Sequence, residues 1–82
     1  MKFTVVFKPN TSFDYGVRLI VNLPFVRSRA KSIPIRLTHD GNEEYIEEVE
    51  IFVPKRLSSE VPKSFRRDLM RLSPQIASVQ RT

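Results

Sequence analysis

The sequence predicts an α+β fold: a four-stranded antiparallel sheet with a C-terminal amphipathic helix packed on one face. Three observations carry this expectation. Apolar and polar residues alternate over stretches of strand length, the period that gives a sheet one apolar face. Asp40-Gly41 lies between two of those stretches, and Asp-Gly in that setting is a strong hairpin signal. Near the C-terminus the period changes: Phe65, Leu69, Leu72 and Ile76 fall at spacings of four, three and four, one face of a helix.

The elements follow in order. Lys2 to Lys8 alternates Phe3, Val5 and Phe7 against Thr4 and Val6, a strand that Pro9 ends. Asn10 to Gly16 is rich in turn formers and reads as a loop, with Phe13 and Tyr15 folding back onto the core edge. Val17 to Val26 alternates Val17, Leu19, Val21, Leu23 and Phe25 with Arg18, Ile20, Asn22 and Pro24, and reads as a second strand. Pro24 cannot donate to a ladder, so this end is expected at an edge or a bulge. Arg27 to Lys31 is a basic connection into the hairpin.

The hairpin, Ile33 to Val53, organises the rest. His39, Asp40 and Gly41 are expected to form a three-residue loop, with Gly41 in the left-handed region. That register pairs Thr38 with Asn42, Arg36 with Glu44 and Ile35 with Tyr45. Ile33, Ile35, Leu37, Tyr45, Val49, Ile51 and Val53 then share the core face. Lys55 to Ser59 is a linker. A helix is expected over 62–72, starting at Pro62. Ser73-Pro74 ends it and starts one further short turn, to about Val79. The whole is one domain, 1–82, with residues 80–82 fraying.

Composition excludes several classes of function. There is no cysteine, so no disulfide framework, thiolate metal site or cysteine nucleophile exists. No apolar run approaches the ~20 residues that a membrane helix needs. A small secreted domain would often need disulfide staples, so the expected compartment is the cytoplasm, and Lys8 and Pro9 end the N-terminal apolar run too early for a signal peptide. His39 and Asp40 are adjacent in a turn, where Asp serves turn chemistry. One His without Cys lacks zinc-site clustering, and two glycines form no phosphate-cradling loop. The expected protein is not an enzyme, and no metal, cofactor or small-molecule substrate is implied.

Fourteen Lys and Arg against nine Asp and Glu leave a formal net charge of +5, which favours an acidic partner such as nucleic acid. The cations fall in two groups. Arg27, Arg29 and Lys31, if extended, point to one side at about 7 Å intervals. Lys63, Arg66, Arg67 and Arg71 lie on the expected helix, after Lys55 and Arg56. Such contacts hold phosphates without reading sequence. The leading expectation is a small basic protein that contacts the nucleic-acid backbone through Arg27, Arg29, Lys31, Lys63, Arg66, Arg67 and Arg71.

The alternative is a protein-binding module, such as an inhibitor or accessory subunit of a larger cellular, phage or viral complex. Val6, Ile20, Val26, Ile46 and Phe52 fall on the parity opposite the core and could form an exposed patch covered by a partner or second subunit. Ile46, Glu48, Glu50 and Phe52 on the fourth strand are its candidate contacts. An edge strand, the first or the second, could also recruit a partner strand.

Overall fold

The computed structural model describes residues 1–82. Along the chain run strand β1 (Lys2–Phe7), helices α1 (Phe13–Val21) and α2 (Pro24–Arg29), strands β2 (Lys31–Asp40) and β3 (Glu43–Phe52), a 3₁₀ turn (Lys55–Glu60), helix α3 (Phe65–Met70) and strand β4 (Ile76–Arg81). The strands form one antiparallel sheet in the order β2-β3-β1-β4. The fold is α+β, with the sheet and strand count that alternation predicts. Its membership differs: residues 17–26 supply helices, and the chain ends in a strand rather than a helix.

The core joins sheet to helices. Phe3, Val5 and Phe7 of β1 point inward as predicted, with Ile46, Val49 and Ile51 of β3, Val53 after it, and Ile76 and Val79 of β4. Ile20, Val26, Phe65 and Leu69 of the three helices complete the same buried cluster. No helix is long and apolar enough to cross a membrane.

Residues 17–26 read equally well at helical spacing. Phe13, Val17 and Ile20 are four and three apart and pack on or within the core. Asp14 in the first turn reaches Arg18 one turn later, Oδ1 to Nε at 3.2 Å, an exposed pair that contributes little. Pro24 starts α2, where its missing N–H costs nothing and its fixed φ suits the helix. Ile20, Val26 and Ile46 are therefore core residues, and the expected outer patch does not exist.

Gly16 explains how α1 seats on the sheet. A Cβ there would overlap Cγ2 of Ile46 and lie 3.3 Å from the Phe7 ring. Overpacking a core costs ~1–3 kcal/mol, and exchanging Gly for Ala within a helix returns about 1 kcal/mol. Gly16→Ala is therefore expected to destabilise by about 1 kcal/mol, and Gly16→Leu by more. A urea titration checks this, and a stabilised Gly16→Ala protein would contradict the close approach.

The hairpin register also differs. The loop is Gly41-Asn42, flanked by the pair Asp40–Glu43, with Thr38 opposite Tyr45 and Leu37 opposite Ile46. Gly41 has the expected positive φ, 63°, and Asn42 does not, the pattern of a turn that favours glycine first. The pairing is displaced by three residues from the predicted one, Thr38 meeting Tyr45 instead of Asn42. Three is odd, so the apolar sets of the two strands part company. Ile33, Ile35 and Leu37 stay 41%, 46% and 40% exposed on an edge strand, while Val49 and Ile51 are buried.

The predicted helix over 62–72 is shorter, α3 keeping only 65–70. Phe65 and Leu69 form its buried stripe as expected. Ile76 leaves that stripe for β4, where it faces Phe7. The 80–82 tail does not fray: Gln80 and Arg81 pair with β1, and Thr82 exchanges two backbone hydrogen bonds with Lys2, at 2.9 and 3.2 Å.

Candidate nucleic-acid interface

α3 and β4 lie side by side, and a groove of about 710 Å³ runs between them at the Met1 end of the sheet. Its apolar lining includes Met1, Phe3, Val61, Phe65, Met70 and Val79. Phe65 is the keystone of that lining. Its ring meets Phe3 edge to face at 5.1 Å and Phe25 at 5.4 Å, so one side chain ties α3 to β1 and α2.

Four cations line the groove: Lys63, Arg66, Arg67 and Arg81, with no carboxylate among the lining residues. One of them, Arg66, is placed by backbone geometry. Lys2 and Thr82 exchange both backbone hydrogen bonds. Antiparallel alternation then turns the polar groups of Val79 and Arg81 away from β1, toward the free edge. Arg66 Nε donates to the outward carbonyl of Val79 at 2.8 Å, which fixes the guanidinium over the edge. That bond uses one of five N–H donors. Lys63 is exposed in the turn before α3, Arg67 is exposed on α3, and Arg81 is exposed at the end of β4.

None of these cations is spent on an ion pair. The pairs lie elsewhere: Lys2–Glu50, Arg18–Asp14, Arg29–Glu60, Arg36–Glu48 and His39–Glu44. Asp68, the one acid of α3, accepts a hydrogen bond from Ser64 Oγ at 2.8 Å.

The structure thus brings together three of the seven predicted cations, Lys63, Arg66 and Arg67. Arg71 follows α3 as its C-terminal cap, outside the groove lining. The group Arg27, Arg29 and Lys31 is not an extended run. Arg27 and Arg29 belong to α2, about 200° apart around its axis, and Lys31 begins β2. Arg29 Nε is held by Glu60 Oε1 at 3.2 Å. Arg81 was not among the predicted residues, because its cue is tertiary: only the pairing of β4 with β1 carries it to α3.

The alternative contact set is also dispersed. Ile46 is 1% exposed and packs over Gly16, so it cannot meet a partner. Glu48 and Glu50 are half-buried in pairs with Arg36 at 3.4 Å and Lys2 at 3.7 Å. Arg36 was expected opposite Glu44, which instead lies 3.6 Å from His39. Phe52 alone stays exposed. The first strand is no edge, since it sits between β3 and β4, and the expected second strand, 17–26, is helical. Edge strand β2 carries Pro34 and register shifts beside it, both of which blunt an edge against further pairing.

Comparison with protein-family models, curated proteins and solved structures found no match to this chain.

Proposed function

We propose that this chain is a small, non-enzymatic nucleic-acid-binding protein that holds the phosphate backbone in the groove between α3 and β4. The observation that supports this reading is the group Lys63, Arg66, Arg67 and Arg81 on one groove without a carboxylate. Phosphates gain from such a set, because each contact releases condensed counterions. The groove's aromatic rings, Phe3 and Phe65, are 3% and 5% exposed and serve as packing, so contact is with the backbone and not by base stacking.

The test is the binding of a labelled oligonucleotide across a salt series. Four phosphate contacts predict a slope of log K against log salt of about −3 to −4. A flat response, or no binding at low salt, removes the proposal.

A second reading, a protein-binding module, is favoured by the exposed row Ile33, Ile35 and Leu37 on β2. Affinity purification with and without nuclease separates the two. Partners lost with nuclease favour the groove, and partners retained with nuclease but lost in Ile35→Glu favour the β2 row.

A further inference from the structure

The groove has an opposite within the same molecule. The turn joining β2 to β3 carries Asp40, Glu43 and Glu44, all exposed. The last residue of β3 that pairs with β1 toward this turn is Glu48, opposite Val6, so the turn projects beyond the central ladder. The protein is correspondingly elongated, 42 × 21 × 20 Å.

The two features lie at opposite ends. Phe52 at the far end of β3 is opposite Lys2, beside the groove residues Met1 and Phe3. From Phe52 to the turn the strand rises roughly 30 Å at ~3.3 Å per residue. The groove also flanks β4, at the other edge of the sheet from β2. A molecule therefore cannot place its own turn in its own groove.

We propose that the acidic β2–β3 turn of one copy docks in the basic groove of a second copy. The occupant is argued from charge: three carboxylates within five residues meet four cations with no competing acid in the groove lining. The inference rests on the groove being a polyanion site, as the nucleic-acid reading has it, and makes the turn a competitor of phosphate for the same cations. The contact is heterologous, since turn and groove are different surfaces, so it extends into chains rather than closing a dimer. A two-stranded turn buries less than the ~1,200 Å² of a standard interface, so association is weak and salt-sensitive.

Sedimentation velocity of the full chain, free of nucleic acid, tests this at about 20 mM and about 300 mM NaCl, where the Debye length falls from roughly 20 Å to 6 Å. The expected result is concentration-dependent association at low salt and a monomer at high salt. A turn variant, Asp40→Asn with Glu43→Gln and Glu44→Gln, and a groove variant, Lys63→Glu with Arg67→Glu, are each expected to stay monomeric at low salt. Mixed in equal amounts, they retain one complementary turn–groove pair and form a 1:1 dimer and nothing larger. All five positions are exposed, and circular dichroism checks that both variants fold. A wild-type monomer at low salt, either variant still self-associating, or a mixture without dimer overturns the inference. Oligonucleotide binding by the turn variant separates the two proposals: if it binds but the mixture gives no dimer, only the docking fails; if wild type and turn variant both fail to bind, the nucleic-acid reading fails.

Discussion

Phe65→Ala is expected to destabilise the protein by about 3–5 kcal/mol, the usual cost of truncating a buried phenylalanine. The ring is 5% exposed and makes edge-to-face contacts with Phe3 and Phe25. Each such pair contributes ~0.5–1.5 kcal/mol beyond area burial, which places the loss toward the upper end. A domain of this length has roughly 4–12 kcal/mol in total, so the variant stands near the limit of folding. Urea denaturation measures the loss. Met70→Ala, on the same helix but 39% exposed, serves as the control and is expected to cost under ~1 kcal/mol. Equal losses in the two variants would mean that Phe65 does not anchor α3.

Neutralising the groove is the second large effect. Lys63→Ala, Arg67→Ala and Arg81→Ala together are expected to weaken oligonucleotide binding by about a hundredfold or more near 0.1 M salt. The same change reduces the magnitude of the salt slope by about 2 to 3. Arg66 is left intact, because its bond to the Val79 carbonyl gives it a structural part as well. The matched comparison is Arg27→Ala, Lys31→Ala and Arg71→Ala, which removes equal charge outside the groove lining. Fluorescence anisotropy on both triple variants decides the matter. Equal losses would show that net charge governs binding and that the groove has no special part in it.

Much of the fold was legible where periodicity was regular. β1 reads as a strand because Phe3, Val5 and Phe7 alternate without interruption, and all three are buried. Phe65 and Leu69 read as one helix face and form one. The burial patterns of β3 and β4 depart from strict alternation for one shared reason. Ile46 and Val49 are both buried though three apart, which a flat strand cannot arrange. The β2–β3 register shifts twice between Pro34 and Leu37: Ile35 is extra in β2 between the pairs Pro34–Val49 and Arg36–Glu48, and Glu47 is extra in β3 between Arg36–Glu48 and Leu37–Ile46. Ile76 and Val79 repeat the pattern: they face Phe7 and Val5, with the shift between Val6 and Phe7 absorbing the extra residue. A spacing of three in a bulged strand imitates a helix, and Ser73-Pro74 just before it carries the cap and first-position proline of a helix start.

The candidate site was half legible. Arg66 and Arg67 lie on one short helix, and Lys63 sits in the turn just before it, so the three cluster in sequence. Arg81 joins them only through the β1–β4 ladder. Arg27 and Arg29 looked equivalent to the helix cations until α2 turned them apart and Glu60 took one of them.

From the sequence alone, this chain is determined to be a small basic domain without cysteine, with a hairpin turning at Gly41, a buried β1 and an amphipathic segment around Phe65. These are local properties: charge, turn chemistry and the period of apolar residues act within a few positions of one another. Only the tertiary structure decided that residues 13–21 and 24–29 are helical, that β4 closes the sheet, and which cations meet in the groove. Those outcomes depend on bulges and on packing between residues far apart in sequence, such as Gly16 against Ile46, where a contact overrides the local preference of either segment.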